Sequence, residues 1–567
     1  MSDLIALRAC TTIAGVAKLL GFQAKTLAYI AWGAPSATKY SVFDIPKRSG
    51  GKRTIHAPAP QLKLAQGKLS NLLQACEKEI EDSLGVKHSV SHGFKRERSI
   101  LTNAEVHRHQ RYVLNLDLLD FFGTINFGRV RGFLINNRNF KLHPDVATLI
   151  AQLACHEDRL PQGSPASPVL SNLIGNILDI RLSKMARAHG CAYSRYADDI
   201  TLSTSKPEFP TAIAHQVDAF KWQASEDLES AVGASGFKIN HAKTRLLHHR
   251  SRQDVTGIVV NQHINLNSDY RRNVRAMVNK LCSTGSYQRD KTILAADNTT
   301  KVSVEGSYAQ LQGMLGFMMQ VERHRRSGGP LPSTLSATER LLHRFLFYTT
   351  FAGNDKPVIL CEGKTDNIYI SAAVKRLSAS YPKLIEPESK NLLVKILPHT
   401  ATQERIFNLT GGDNPLVNFI IAYRDNYRLI KAPKGANPVI VIFDNDNGSN
   451  AVIAAIKKHF KIEMPDDTQY IRAYANLYVL LTTKKGTGNH CIEHFFPSKT
   501  LKKTLSGKKL NLSNKKLKDD EYGKAWFAEK IVKPYYHDID FTGFSGLLDP
   551  LSEIITHHAN HKIDEKG

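Results

Sequence analysis

Cysteine is scarce in this chain of 567 residues, and the cysteines that occur follow no metal-binding or disulfide pattern. No two of them form a C-x-x-C pair, and no histidines are spaced to complete a zinc site. The seven are Cys10, Cys76, Cys155, Cys191, Cys282, Cys361 and Cys491. We therefore expect neither a disulfide framework nor structural zinc, and reduced thiols in a cytosol fit best.

Long apolar runs are missing as well. No stretch approaches the roughly 20 residues that are needed to cross a bilayer. The early run IALRACTTIAGVAKLLGF contains Arg8 and Lys18 and has helical periodicity, unlike the unbroken apolar core of a signal peptide. We therefore expect a cytoplasmic protein with no membrane partner.

Acidic residues are a minority, with 52 Asp and Glu against 76 Lys and Arg and a formal net charge of +24. Such an excess favours a polyanionic partner, most simply nucleic acid, because neutralised phosphates release counterions. The alternative is a basic protein that is merely soluble.

Hydrophobic patterns predict a multidomain protein, α+β first and α/β later. Between residues 112 and 260, strand patterns (YVLNLDL, YSRYA, DITLST, VTGIVV) are separated by helical stretches at 167–188 and 211–235. Before them, Gly50 and Gly51 predict a hairpin, and after them residues 268–281 form an amphipathic helical pattern.

The second half alternates short buried strands with helices. PVILCEG is followed by the helical run KTDNIYISAAVKRL, and PVIVIFDNDNG repeats the strand-then-acid design. This alternation predicts a mainly parallel sheet, in which ligand sites lie beyond the carboxyl ends of the strands.

The stretch SRYADDITLS contains the first candidate site. Of three Asp-Asp pairs, only Asp198-Asp199 lies between two strand patterns, whereas the pairs at 466–467 and 519–520 are expected in solvated loops. Asp117 ends a similar strand in VLNLDLLDFF. Any one of these acids alone could simply cap a turn.

If these acids converge, two carboxylates 4 Å apart repel by about 4 kcal/mol at an effective dielectric of 20. Mg²⁺ would offset that repulsion, and a pair of ions supports displacement at phosphorus, which is polymerase chemistry.

YADD and the upstream NLDLLDFF resemble the palm of reverse transcriptases. The segments IPKRSGGKRTIHAP, HGFKRERSI, LPQGSPASP and GFKINHAKTRL agree in order, and the resemblance covers roughly residues 25 to 325. It implies a right-hand-like fold with fingers, palm and helical thumb, in which Asp117, Asp198 and Asp199 hold two Mg²⁺ ions. It also implies that Lys243 protonates the leaving pyrophosphate.

The same resemblance implies a nucleotide pocket. Phe122 would be the steric gate against a ribose 2′-OH, Gln162 would line the pocket, and Arg53 and Lys47 would hold the triphosphate of a deoxynucleoside triphosphate. Taken alone, Phe122 is more often a core residue and the basic residues are more often solvated charges.

Two short motifs resemble those of retron reverse transcriptases: NAEVH at 103–107 matches an NAxxH element, and VTG at 255–257 matches a second element. Such enzymes use a structured noncoding RNA (msr-msd) as template and primer. Starting from a guanosine 2′-OH, they make branched RNA-linked DNA, termed msDNA. The resemblance therefore implies these partners.

The C-terminal half resembles a TOPRIM domain, a Rossmann-like α/β fold, of the OLD nuclease type. Its metal ligands for Mg²⁺ or Mn²⁺ would be Glu362, Asp366, Asp444, Asp446 and Glu493. Glu362 and Lys524 would have catalytic roles. Primase and topoisomerase uses of this fold stay open.

The expected domains are fingers and palm at 1–260, thumb at 261–326, linker and helix at 327–355, TOPRIM at 356–500 and a basic helical extension at 501–567. The combination resembles retron enzymes fused to a nuclease effector in antiphage defence, restrained by msDNA. A generic reverse transcriptase with a degenerate TOPRIM domain and a noncatalytic RNA-binding scaffold are the alternatives. The nuclease target, RNA or DNA, and a homo-oligomer stay open.

Overall fold

The computed structural model describes residues 2–47, 50–85, 89–218, 221–294, 299–326, 329, 332–409, 415–445, 449–483, 490–512 and 517–561. The chain forms two compact units. Unit 1 comprises Met1–Arg271, Asp290–Val304 and Gln320–Pro330, and unit 2 comprises Arg272–Arg289, Glu305–Met319 and Leu331–Gly567.

A β-hairpin set among helices opens unit 1. The elements are α1 (Asp3–Ala9), α2 (Ile13–Leu20), α3 (Ala24–Ala28), α4 (Ser36–Lys39), β1 (Tyr40–Pro46), β2 (Lys52–Pro58), α5 (Pro60–Ser83) and α6 (Ile100–Val106). Strands β1 and β2 pair antiparallel. The predicted hairpin is confirmed, since Gly50 and Gly51 adopt φ of 92° and 76°, a region open to glycine.

The next part of unit 1 is built on an antiparallel sheet. Its elements are β3 (Tyr112–Asp117), α7 (Phe127–Asn136), α8 (Pro144–Ala154), α9 (Ser167–Ala188), β4 (Ala192–Tyr196), β5 (Asp199–Thr204), β6 (Ala214–Gln216), β7 (Trp222–Ala224), α10 (Glu226–Gly233), β8 (Arg245–His248), β9 (Asp254–Val255), β10 (Ile258–Val259) and β11 (Asn265–Leu266). Four strands form a sheet in the order β4-β5-β3-β8. Leu114 and Leu116 of β3 are buried in the core of this unit. The strands predicted at β3, β4 and β5 and the helix predicted at α9 are confirmed.

Two predicted elements are wrong. The helix expected over 211–235 is instead the hairpin β6–β7 followed by α10. The Ser225 side chain accepts a hydrogen bond from the Leu228 amide at 3.1 Å and so begins the helix there. The strand expected over 255–260 is split, because Thr256 and Gly257 have φ of 48° and 81° and turn the chain between β9 and β10.

The chain then continues through α11 (Ser268–Thr284), β12 (Gln288–Leu294), β13 (Thr299–Glu305), α12 (Tyr308–Arg325) and α13 (Ala337–Phe347). The amphipathic helix predicted from residue 268 is confirmed by α11, whose Val274, Val278 and Leu281 are buried.

A five-stranded sheet forms the core of unit 2. The remaining elements are β14 (Val358–Leu360), α14 (Lys364–Arg376), β15 (Lys395–Ile396), α15 (Ala401–Ile406), α16 (Pro415–Arg428), β16 (Val439–Phe443), α17 (Ser449–Phe460), β17 (Tyr470–Tyr474), β18 (Leu477–Leu481), α18 (Ser498–Leu501), β19 (Lys509–Leu510), β20 (Glu521–Tyr522), α19 (Lys524–Trp526), α20 (Lys533–Tyr535) and α21 (Ser545–Asn560). The strand order is β15-β14-β16-β18-β17. Among the described residues of this sheet, β17 is the one strand that pairs antiparallel, so the predicted mainly parallel sheet is confirmed.

Within the described ranges, no helix has the length and apolar content that crossing a membrane requires.

Candidate functional site

Eight residues predicted from the sequence line one cavity of unit 1, with a volume of about 1130 Å³. They are Lys47, Arg53, Asp117, Phe122, Gln162, Asp198, Asp199 and Lys243. Because these residues come from distant parts of the chain, the fold brings them together.

Strand pairing places the three aspartates at one edge of the sheet. Asp117, the last residue of β3, lies opposite Asp199, the first residue of β5. The amide of Leu118 donates a hydrogen bond to the carbonyl of Asp198 at 3.0 Å, so the turn that carries Asp198 is held against the end of β3. The acids therefore lie on neighbouring strand ends, as their positions in the sequence predicted.

The environment disfavours charge on two of these acids. Burial, followed by the charges of Asp198 and Asp117, raises the pKa of Asp199 to about 6. Burial is also the largest cause that raises the pKa of Asp198, and Asp117 adds to it. Such mutual repulsion is relieved when a cation binds between the carboxylates.

Asp117 already has a cationic partner. The Lys243 ammonium lies 2.8 Å from Asp117 Oδ2, and Asn240 donates to Oδ1 at 3.2 Å and, from its backbone amide, to the Asp117 carbonyl at 2.8 Å. The hydrogen bond to Asp117 is the largest cause that raises the pKa of Lys243. Asn240 was not predicted as a site residue, although it stands three residues before Lys243 in the segment GFKINHAKTRL.

The expected nucleotide-pocket residues surround the acids. Arg53 and Lys47 lie on the β1–β2 hairpin, and the charge of Arg53 lowers the pKa of Asp198 slightly against the effect of burial. The ring of Phe122 packs 5.4 Å from that of Phe121, centroid to centroid. The Gln162 carbonyl accepts a hydrogen bond from a β2 amide at 2.8 Å, which fixes its turn against the hairpin.

The NAEVH segment supports the strands that lead into the acidic turn. His107 is fully buried, with Nε2 2.7 Å from Ser194 Oγ on β4 and Nδ1 2.7 Å from Ser203 Oγ on β5. Ser194 donates its hydroxyl hydrogen to Asn103 at 2.6 Å, so in a neutral His107 ring Nε2 donates to Ser194 and Nδ1 accepts from Ser203. Burial lowers the pKa of His107 to about 3, in agreement with a neutral ring.

The VTG segment is a neighbour of NAEVH. Helix α6, which carries Asn103, packs against both β9 and β10, the strands that flank the Thr256-Gly257 turn. The two motifs therefore pack against each other in the fold, although they are about 150 residues apart in sequence.

A second acidic cluster lies beyond the carboxyl ends of the unit 2 strands. Glu362 follows β14, Asp366 lies in the first turn of α14, and Asp444 follows β16. Burial, then the charges of Asp366, Glu362 and Glu493, raise the pKa of Asp444 to about 8. Asp366 also has a raised pKa, of about 6, with burial as the largest cause. The predicted residue Asp446 lies outside the described residues.

Glu493 and Lys524 meet beside this cluster. The Lys524 ammonium is 3.1 Å from Glu493 Oε2, and the Glu493 side chain is 1% exposed. Its other oxygen, Oε1, is buried without a hydrogen-bond partner. An unpartnered buried carboxylate oxygen is a suitable ligand for a hard cation.

Neither acidic cluster, as far as the structure describes it, is by itself a complete metal site. Among the His, Cys, Asp and Glu side chains of the described ranges, no group of three or more has the arrangement of a ready-made metal site. Mg²⁺, however, commonly uses one or two carboxylates and completes its shell with water and substrate phosphates. The pairing of Asp117 with Asp199 at neighbouring strand ends and the unpartnered Oε1 of Glu493 suit such an ion in unit 1 and unit 2, respectively.

Comparisons with known proteins find reverse transcriptases that are similar to unit 1. A family model described as reverse transcriptase (RNA-dependent DNA polymerase) matches residues 45–261. The Retron Mx162 reverse transcriptase of Myxococcus xanthus is 36% identical over 267 residues, which cover 43% of this chain and 52% of that protein. The Retron Ec86 reverse transcriptase of Escherichia coli is 32% identical over 247 residues, which cover 43% of this chain and 70% of that protein.

This chain spans about half the length of the Mx162 relative and 64% of the Retron Mx65 reverse transcriptase, also of Myxococcus xanthus. Among solved structures, an apo telomerase from Candida tropicalis is similar over 43% of this chain and 52% of that one. The identity is 13% and the TM-score 0.30, a likeness too distant to carry an argument.

Proposed function

The chain belongs to the retron reverse transcriptases, and we propose that its unit 1 synthesises DNA on an RNA template. The observation that carries this proposal is that three aspartates at neighbouring strand ends and the basic residues of the β1–β2 hairpin line the same cavity. We infer that the template and primer are the cognate noncoding RNA, that synthesis starts from a guanosine 2′-OH, and that the product is msDNA.

Each residue has a role that suits its position. Asp117, Asp198 and Asp199 would hold two Mg²⁺ ions, which when bound activate the attacking hydroxyl and stabilise the leaving oxygen. Arg53 and Lys47 would orient the triphosphate. The Lys243 ammonium, which is held by Asp117, would give its proton to the leaving pyrophosphate.

Phe122 and Gln162 would shape the sugar and base side of this pocket. The Phe122 ring would exclude a ribose 2′-OH by its bulk, so that deoxynucleotides are selected. Gln162 would line the wall beside the incoming nucleotide.

The test of this proposal is the nucleic acid that copurifies with the full chain. We expect a branched RNA–DNA hybrid on sequencing, and Mg²⁺-dependent primer extension that Asp117→Asn abolishes. Binding of RNA with no extension by the wild type would instead support the noncatalytic scaffold.

For unit 2 we propose a metal-dependent nuclease of the TOPRIM type, with Mg²⁺ or Mn²⁺ held by Glu362, Asp366, Asp444 and Asp446. Support comes from the mainly parallel sheet and from the acids that follow β14 and β16. Glu493 and Lys524 would complete the site, Lys524 as a cation beside the scissile phosphate.

We further propose that msDNA restrains this nuclease until phage infection disturbs the complex. Degrading the bound DNA in the purified complex should then release nuclease activity on RNA or DNA, and Glu362→Gln should abolish it. Unchanged activity after the DNA is removed contradicts the restraint. If Glu362→Gln leaves phage protection intact, unit 2 is degenerate, as the alternative of a generic reverse transcriptase requires.

A further inference from the structure

A buried ion pair lies directly beneath the acidic turn of unit 1. Arg195 of β4 donates from Nε and Nη2 to the two carboxylate oxygens of Asp179 on α9, each at 2.8 Å. The two side chains are 0% and 3% exposed. Burying such a pair costs desolvation that an apolar pair would avoid, so its net stabilisation is a weak explanation for its presence.

The guanidinium has a third contact that reaches the site. Arg195 Nη1 donates to the carbonyl of Ala197 at 3.0 Å. Ala197 is the residue before Asp198, and its φ of 56° lies in the left-handed region, which is sterically unfavourable for a non-glycine residue. The hydrogen bond holds the peptide that joins Ala197 to Asp198 in this unfavourable conformation.

Two glycines leave room for this arrangement. A Cβ atom on Gly175 of α9 would lie 2.8 Å from Arg195 Nη2, and a Cβ atom on Gly93 would lie 2.6 Å from the Ala197 amide nitrogen. The first would displace the guanidinium and the second would displace the turn itself. The absence of a side chain at these two positions therefore provides the space that the guanidinium and the turn occupy.

We propose that Arg195, fixed by Asp179, is a positioning residue that keeps the Asp198 carboxylate in the cavity beside Asp117. The proposal rests on the proposed polymerase function, in that this carboxylate is taken to hold a metal ion. If the pair only attaches β4 to α9, its loss will lower stability without a specific effect on metal affinity.

Two variants disturb the contact to Ala197, and one control spares it. Arg195→Lys keeps a cation for Asp179, but a single ammonium cannot bridge both carboxylate oxygens and the Ala197 carbonyl. Gly175→Ala shifts the guanidinium without removing its charge. Tyr193→Phe deletes the 2.7 Å hydrogen bond from the Tyr193 hydroxyl to Asp179 Oδ1 and leaves the contact between Arg195 and Ala197 untouched.

The experiment uses the full chain, with Asp444→Asn added to silence the second cluster, and measures Mn²⁺ affinity by electron paramagnetic resonance. Primer extension gives kcat and the Mg²⁺ concentration at half-maximal rate, and thermal unfolding gives stability. For Arg195→Lys and Gly175→Ala we expect Mn²⁺ affinity to fall at least about 3-fold and kcat at least about 10-fold, with the nucleotide KM changed less than about 2-fold. For Tyr193→Phe we expect unchanged Mn²⁺ affinity.

Equal Mn²⁺ affinity in the wild type and both test variants overturns the proposal, whether or not the chain polymerises. A loss in all three variants that parallels the loss of thermal stability also overturns it, in favour of a purely structural pair. If the wild type extends no primer but the affinity shift is present, the proposed function fails and the positioning role stands.

Discussion

Asp117 lies directly opposite Asp199 across the antiparallel strands β3 and β5. Because side chains alternate along a strand, the apolar neighbours of Asp117 lie in the core. The register places both acids at the same end of the strand pair. Asp198, in the turn before β5, completes the set.

Replacing Asp198 by Asn should remove DNA synthesis. The amide cannot supply the charge that a metal ion needs, so we expect primer extension to fall at least about 1,000-fold, a loss of about 4 kcal/mol of transition-state stabilisation. Asp519→Asn is the matched control, since Asp519 belongs to another Asp-Asp pair and is exposed. Equal loss in both variants would contradict the assignment.

The stabilisation of the protein by Mg²⁺ should depend on pH through Asp199. Its pKa in the folded state, about 6, is above that of the unfolded chain, so without metal the folded state loses stability as pH rises to about 6. Mg²⁺ replaces the proton and should therefore raise the melting temperature more at pH 7.5 than at pH 5. Scanning calorimetry with and without Mg²⁺ tests this, and Asp199→Asn should reduce the pH dependence.

Replacing Phe122 by Val should relax sugar selection. Removing the ring opens space for a 2′-OH, so we expect the ratio of ribonucleotide to deoxynucleotide incorporation to rise about 10-fold or more, worth about 1.4 kcal/mol. Single-nucleotide extension with each triphosphate measures the ratio. Phe94→Leu, a change in the same cavity 6.2 Å away between ring centroids, should leave it unchanged.

His107 should make unit 1 sensitive to acid. Its pKa of about 3 in the folded state lies below the unfolded value near 6.5, so its contribution is complete above pH 6.5 and is lost as pH falls toward 3. Between these values the unfolding free energy should fall by about 1.4 kcal/mol per pH unit because of this group. Urea unfolding at several pH values tests the slope, and His107→Gln should flatten it. Identical slopes would show that protonation of His107 is not coupled to unfolding.

Metal binding to unit 2 should release a proton from Asp444. Since its pKa is about 8, the carboxyl is mostly protonated at pH 7, and a cation must displace that proton. Titration calorimetry with Mn²⁺ in two buffers of different ionisation enthalpy should show about one proton released per ion. An Asp198→Asn background limits the signal to unit 2, and Asp444→Asn should abolish the release.

Local patterns were sufficient for much of this protein. The alternation of Leu114 and Leu116 with polar residues placed β3, and the turn glycines placed the β1–β2 hairpin. Helix α9 was predicted at its observed bounds, Ser167–Ala188.

Hydrophobic patterns predicted the wrong secondary structure where a few residues have more influence than the periodicity of the segment. Residues 211–235 have helical spacing, yet the cap at Ser225 begins the helix late. VTGIVV is rich in strand-forming residues, yet left-handed torsions at Thr256 and Gly257 bend it. Gly257 was the local signal for this turn, because glycine readily adopts positive φ.

The order of the motifs, the type of residue in each and the alternation of apolar positions are local properties. They were enough to predict the family, which the comparisons confirm, and to place acids at strand ends in both units. Long-range packing added what no local pattern encodes: the pairing of Arg195 with Asp179, the contact of Asn240 with Asp117 and the burial of His107 between two serines. The residues in these contacts are separated in sequence by 16, 123 and nearly 100 positions, respectively. The contacts stabilise the protein only after the core has formed and excluded water.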